Sequence, residues 1–506
     1  MLIPQRQPGA VNLHKEIPLA SFVGCADITV SAVASHSAEC TPGCLFAALP
    51  GIHTHGRDHL SQALQRGAAA ILTDFPLADV SLPQCIVSNV PKAYGQICHG
   101  MYGHPSRKMG IAGVTGTNGK TTTTWILRSL LQSASRPTGI IGTIEYHDGV
   151  YSEPSSLTTP DPMTMARLLA AMRERQTKYA AIELSSHALA QGRPAGLSLD
   201  VAIITNVTQD HLDYHHTFEE YIAAKAKILD YLKLGGILVI NADDLHWEEF
   251  IPPQERRIRV LSFGTGKDAD IHYEILNEDA SGSRFRLHYG VERFDCKIPL
   301  IGRHNVANAV GAACAAIHLG LMTEEIQAGL AECKAVPGRM EPIDCGQDFQ
   351  VIVDYAHTDD AISNLLKTLR PLTSGKVILV FGAGGDRDQS KRPAMGRAAS
   401  MADHVIVTTD NPRSEDPRQI IDDILCGIDP AHLGLHVEPD RQSAICMAMQ
   451  LAEPGDTVIV AGKGHEKIQI DAIGKHPFDD VQVCREEILR RIQEEHGHLV
   501  PVKLAG

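Results

Sequence analysis

The chain has 506 residues, 43% of them hydrophobic and 21% charged, enough for about three domains of ordinary size and unlike a mainly disordered chain. Its 46 Lys and Arg against 60 Asp and Glu leave a net charge of −14, which withholds the positive field a phosphate backbone needs and argues against nucleic acid as a partner. The first residues lack a signal-peptide pattern, and no later run approaches ~18 apolar residues without a charge or turn former, so a cytoplasmic protein with no membrane insertion is expected.

Residues 1–108 alternate short apolar segments with Pro-, Gly- and His-bearing turns, the rhythm of a small α/β domain. Tyr102-Gly103-His104-Pro105-Ser106-Arg107-Lys108 reads as a polar linker. From residue 109 the pattern becomes strand, glycine loop, helix. A strand over 111–114 precedes a helix over about 121–133 with Trp125, Ile126, Leu130 and Leu131 near one stripe. Further strands are expected over 179–182, 201–205 and 236–240, as continuous apolar runs suited to a sheet covered on both faces. The rhythm restarts near Pro337-Gly338-Arg339, with strands over 351–353, 377–381, 404–408 and 457–461. The fold class is therefore α/β in three domains. A small amino-terminal α/β domain spans 1–108, a central P-loop-type parallel-sheet domain 109–336, and a carboxy-terminal Rossmann-like domain 337–506, ending in a loosely held tail. Twelve cysteines occur without a Cys-x-x-Cys pair and read as small apolar residues rather than a zinc or redox framework.

Chemistry concentrates at expected strand ends. Gly116-Thr117-Asn118-Gly119-Lys120-Thr121-Thr122 lies between a strand and a helix. Its glycines let backbone N–H groups turn inward around phosphate oxygens, Lys120 reaches the outer phosphates, and the Thr121 hydroxyl suits Mg²⁺. Glu183 and Asp210-His211 follow two other strands, where open α/β sheets place their ligands, and offer carboxylate and imidazole to a metal. Arginines at 387, 392 and 413 follow strands of the last domain, positions suited to forking onto a substrate carboxylate.

These motifs, together and in order, resemble those of the Mur ligases, ATP-dependent amide-forming enzymes of peptidoglycan synthesis. The resemblance covers nearly the whole chain and implies a carboxylate–amine ligase that takes ATP with two Mg²⁺ ions. Lys120, Glu183, His211 and Lys225 match catalytic positions of the family, Lys225 as a carbamylated lysine, with Thr121 among the metal ligands. Asn305, Arg339, Asp354 and His357 match positions that serve ATP. The implied donor is UDP-N-acetylmuramoyl-L-alanyl-D-glutamate, contacted by Ser37, Thr158, Thr159, Ser185, Gln191 and Arg193. Asp410-Asn411-Pro412-Arg413 is similar to the form found in members that add meso-diaminopimelate, whose far carboxylate suits Arg413. Gly462 and Glu466 match contacts to the amino-bearing end, and Arg392, with Arg387 close by, a second carboxylate contact. Where members carry Asp-Ser-Arg in the uridine region this chain has His36-Ser37-Ala38, so only Ser37 fits. Competing readings are a lysine-adding relative, a folylpolyglutamate synthetase-like ligase and a non-enzymatic paralogue.

Overall fold

The amino-terminal sheet has five strands in the order Ser21–Val23, Gln84–Ile86, Ala70–Thr73, Leu45–Ala47, Val33–Ala34, parallel except for the first pair. The computed structural model describes residues 3, 6–51 and 54–496; the expected loose tail beyond 496 lies outside the described residues. By internal contacts the chain divides into two units. One runs through Leu276 and takes in Arg284–Ile298 and His304–Cys333; the other holds Asn277–Ser283, Pro299–Arg303 and the chain from Lys334 on.

In the first unit the central sheet has eleven strands. The order begins Ser152–Pro154, Glu145–His147, Thr138–Ile141, Tyr179–Glu183, Gly110–Thr115, Leu199–Ile204, Leu232–Asn241, Arg259–Gly264, and ends Ile271–Asp279, Gly282–Tyr289, Glu292–Ile298. From Thr138–Ile141 to Arg259–Gly264 the pairs are parallel. Residues such as Ile111, Val114, Ile203 and Leu238 are fully or almost fully buried, because helices cover both faces. Gly110–Thr115, first of the parallel strands in the chain, lies between strands that come later, so the loops leaving it and its two neighbours converge at one carboxyl edge. The helix Lys120–Ser133 buries Thr123, Ile126, Leu127, Leu130 and Leu131. Trp125, expected on that stripe, is only half-buried and faces the Arg128 guanidinium at 5.6 Å. The strands between 271 and 298 carry no expectation from the sequence, since each alternates apolar with charged residues and none is a continuous apolar run.

The expected linker is a packed seam. Tyr102, Pro105 and Ser106 are buried, and Ser198 N donates to Ser106 Oγ at 3.2 Å. Beside it the helix Val90–Met101 meets the loop before Leu199–Ile204 so closely that a Cβ on Gly95 would lie 2.3 Å from the Ala195 carbonyl oxygen. Gly196, at φ +87°, would carry a Cβ 2.4 Å from the Gly95 oxygen. Ala166 and Ala170 of the central helix Pro162–Glu174 share one apolar cluster with Leu45, Leu72 and Ile97. Polar composition suggested a tether; two glycines and a row of alanines make it a joint.

The second unit has a six-stranded sheet in the order Glu341–Pro342, Gln350–Asp354, Thr457–Ala461, Val377–Phe381, His404–Val407, Leu435–Val437, all parallel but the first pair. Beneath it Arg441 and Asp480, both fully buried, form a two-bonded ion pair at 2.8 and 2.7 Å, and Arg441 also donates to the Ala461 oxygen. Removing one partner strands a buried charge. Asp480→Ala is expected to destabilise this unit by about 3–5 kcal/mol, whereas the apolar double replacement Arg441→Met with Asp480→Leu costs far less. Urea denaturation of the full chain checks this; equal losses in the two variants would refute it.

Candidate active site

The phosphate loop is held from behind. Gly116, at φ +147°, and Gly119, at φ +84°, adopt backbone that side chains disfavour. A Cβ on Gly116 would lie 1.9 Å from Thr205 Oγ1, and one on Gly119 2.3 Å from Asn308 Oδ1. Thr117 N donates to the Asn206 oxygen and Asn118 N to Asn206 Oδ1, while Thr205 Oγ1 donates to the Asn118 oxygen at 2.6 Å. Asn308 Nδ2 donates to Asn305 Oδ1, which places both asparagines of the helix Arg303–His318 behind the loop. Lys120 Nζ folds back onto the Gly116 and Thr117 oxygens at 2.9 and 2.8 Å. Thr121 and Thr122 open the helix, both buried.

Glu183 ends its strand with its carboxylate fully buried. Thr121 Oγ1 and Thr143 Oγ1 donate to Oε2 at 2.8 and 2.9 Å, and Thr143 N donates to Oε1 at 2.9 Å. Lys225, 1% exposed, donates to the Gly116 oxygen at 2.8 Å and lies 4.3 Å from the centre of the Tyr221 ring. Burial, and then the nearby Lys120 charge, push its amine well below the ordinary lysine range. Tyr221 in turn hydrogen-bonds through its hydroxyl to Thr117 Oγ1, 3.0 Å away. His211, at φ +53°, stands beside Asp210 with a half-exposed ring 4.8 Å from that of His187.

Five of the six expected donor contacts are linked through Thr143 and Glu183. Thr158 Oγ1 is 3.0 Å from Thr143 Oγ1, Thr159 Oγ1 donates to the Glu183 oxygen, and Ser185 N donates to Thr159 Oγ1. Arg193 donates to the Thr159 oxygen and to Gln191 Oε1, and Gln191 donates to the Tyr214 hydroxyl. Ser37 is set in the amino-terminal sheet's own surroundings, its hydroxyl donating to Gln62 Oε1 at 2.6 Å.

In the second unit the loops after four parallel strands gather at one edge. Asp354 accepts from Met340 N and Ala356 N at 2.7 Å each; burial pushes its carboxyl up, against the pull of Arg339 and of these two amides. Arg339 lies over the Tyr355 ring at 4.6 Å, and the exposed His357 bonds through Nδ1 with the Tyr355 oxygen. Asn411 is clamped: Nδ2 donates to Glu466 Oε2, and Oδ1 accepts from Lys463 Nζ and Ile470 N. Gly462, at φ +115°, leaves room for Asp410, whose Oδ2 would sit 2.5 Å from a Cβ there. Arg413, at φ +54°, bonds the Gly385 oxygen. Arg392 turns elsewhere. Its guanidinium is 2% exposed and donates to both oxygens of Glu415 and to Asp423.

The Mur ligase middle-domain model matches residues 114–316, the Mur ligase glutamate-ligase-domain model 338–464, and the Mur ligase family catalytic-domain model 29–98. The UDP-N-acetylmuramoyl-L-alanyl-D-glutamate--2,6-diaminopimelate ligase of Thermosynechococcus vestitus is 42% identical over 472 residues, covering 92% of this chain and 94% of its own. The chain belongs to the Mur ligase family. A solved structure of a ligase of the same description aligns at a TM-score of 0.69 with 31% identity, over 96% of this chain and 99% of the other. A Mycobacterium tuberculosis folylpolyglutamate synthase aligns at a TM-score of 0.60 and 19% identity over 73% of this chain, a likeness of fold alone.

Within this Mur ligase two expectations need correction and several residues are new. Arg392, expected on a substrate carboxylate, is already neutralised by Glu415 and Asp423; helical position hid those partners, 23 and 31 residues away. Arg387 is the exposed arginine of that loop. The linker is a packed joint, as described above. Thr143 carries no motif, while Tyr221, four residues before Lys225, and Lys463, next to Gly462, lie inside matched segments with no role of their own expected. Thr143 follows its strand in a plain Gly-Thr step, and only its two bonds to Glu183 reveal it.

Proposed function

We propose that this Mur ligase joins meso-2,6-diaminopimelate to UDP-N-acetylmuramoyl-L-alanyl-D-glutamate with cleavage of ATP to ADP and phosphate, a cytoplasmic step of peptidoglycan synthesis. The observation that carries the reading is the phosphate loop lying against a buried carboxylate and a buried amine, Glu183 and Lys225, in a chain whose full-length relatives bear that activity in their names. In the first unit the backbone amides of Gly116–Thr122 cradle the ATP phosphates and Lys120 leaves its internal carbonyls for the outer ones. The donor carboxylate, oriented by Thr158, Thr159, Ser185, Gln191 and Arg193, attacks the γ-phosphorus and ADP leaves. The resulting acyl phosphate is opened by the neutral amine, and phosphate departs. No protein nucleophile is needed; position and charge carry the rate.

The donor set fits Mg²⁺. Glu183 and Thr121 give hard oxygen ligands, and a neutral Lys225 amine is the form that adds CO₂ to become a carbamate, a third oxygen donor. With His211 these residues would hold two ions, which supply charge neutralisation on the transferring phosphoryl group. Asn305 stands behind the loop, and the family resemblance assigns Arg339, Asp354 and His357 to ATP. Asp410, Asn411, Gly462 and Glu466 receive the amino-acid end of diaminopimelate. Arg413 pairs with its distal carboxylate, with Arg387 in place of Arg392 as the second cation.

ADP release with the UDP-muramoyl-dipeptide, in the presence of meso-diaminopimelate, L-lysine or no amine, tests the assignment. Turnover is expected with diaminopimelate alone; equal turnover with lysine would refute the amine selection. Arg413→Ala should cut kcat/KM for diaminopimelate by about 10²-fold or more, the cost of losing a charge-assisted two-bonded contact, with KM for ATP unchanged. Equal losses toward both substrates would remove Arg413 from that role.

A further inference from the structure

Away from the phosphate loop, Ile271–Asp279 and Gly282–Tyr289 are neighbours in the central sheet. Ile271, Tyr273, Phe285 and Leu287 point inward and are buried, so alternation sets His272, Glu274 and His288 on the opposite face. Their ligand atoms all lie within 4.8 Å of one another. Glu274 Oε1 is 3.5 Å from His272 Nε2 and 3.2 Å from His288 Nε2, and the two rings are 5.1 Å apart. Those two separations match the edge of a tetrahedron with bonds of 2.0–2.1 Å, about 3.3 Å. His288 Nε2, buried, makes no hydrogen bond despite its closeness to the carboxylate, and neither does His272 Nδ1. Arg286, on the same strand face and within electrostatic reach of Glu274, is paired with Asp295 through bonds of 2.6 and 3.0 Å, which offsets part of the charge it presents to a cation there.

We propose that His272, Glu274 and His288 form a binding site for one divalent transition-metal ion of the zinc, cobalt and nickel class, separate from the Mg²⁺-dependent chemistry at Glu183. Two imidazoles and one carboxylate suit those ions, whereas Mg²⁺ prefers sites made mostly of oxygen ligands. The rims of the histidines are shielded, with side chains 14% and 21% exposed, and Glu274 at 47% leaves the fourth position open to solvent. The ion joins two adjacent strands and stiffens this end of the sheet.

The test is a Co²⁺ titration of the full-length protein in excess Mg²⁺, followed by equilibrium dialysis, visible absorption and thermal unfolding, beside His272→Ala, His288→Gln and Glu274→Gln. The parent is expected to bind one more cobalt than each variant, to show the intense absorption of four-coordinate cobalt, and to gain in Tm with cobalt where the variants do not. Each variant should bind at least about tenfold more weakly, with ADP release in Mg²⁺ unchanged. Equal cobalt stoichiometry and equal Tm gain in parent and variants would overturn the site. Should His272→Ala fail to fold, Glu274→Gln, on a half-exposed side chain, decides alone.

Discussion

Lys120→Met is expected to lower kcat for ADP release by about 10³-fold or more while leaving the fold almost intact. The ammonium now bonds two carbonyls of its own loop, Gly116 and Thr117, and hydrogen bonds between half-buried groups contribute only ~1 kcal/mol each. The loop does not depend on them, because Thr205, Asn206 and Asn308 hold it from the other side. Its contribution to the proposed reaction is expected to be larger. A fixed cation beside a phosphoryl group in flight is worth ~3–4 kcal/mol or more in a dry site. Steady-state kinetics and a melting curve on the same preparation separate the two effects. A kcat within tenfold of the parent would remove Lys120 from the chemistry, and a collapsed Tm would make it a structural latch instead.

Lys225→Met carries the second large effect, with stability moving the opposite way from activity. The methionine fills similar volume but cannot take up CO₂, so kcat should fall by at least about 10²-fold, the cost of one lost stabilising charge. A short carboxylate such as acetate should restore part of it in Lys225→Ala, where there is space. Stability should rise. The native amine titrates below its unfolded value, so between the two the unfolded chain binds more protons and the parent gains stability as pH increases. The advantage of methionine in CO₂-free buffer should therefore be largest toward neutral pH and shrink as pH nears about 10.4, the unfolded lysine value. An advantage that grew with pH would contradict the buried neutral amine.

Much of this architecture is legible in the sequence, for a physical reason. Parallel strands buried on both faces must be continuous apolar runs, and 377–381 and 457–461 appear at those residues. The phosphate loop was legible because glycine is required where the backbone reaches φ +84° and +147°. Lys225 was not. Its side chain lies on a helix whose pattern gives no hint of burial, and only the resemblance singled it out. Thr143 and the partners of Arg392 were hidden because their contacts span tens of residues, which no local spacing encodes. Charged residues alternating through 271–298 likewise concealed three strands, and with them the histidine cluster.

The seam at Gly95 and Gly196 sets a dimension. Two backbones that meet there leave no room for a Cβ between them, and the alanines of Pro162–Glu174 pack the same joint from a second side. The amino-terminal sheet and the phosphate-loop sheet are thus set a definite distance apart, like the jaws of a caliper. On the proposed donor assignment, a sugar nucleotide held near Ser37 at one end and near Thr158 at the other would be measured by its length, so an analogue longer or shorter by one residue is expected to bind more weakly.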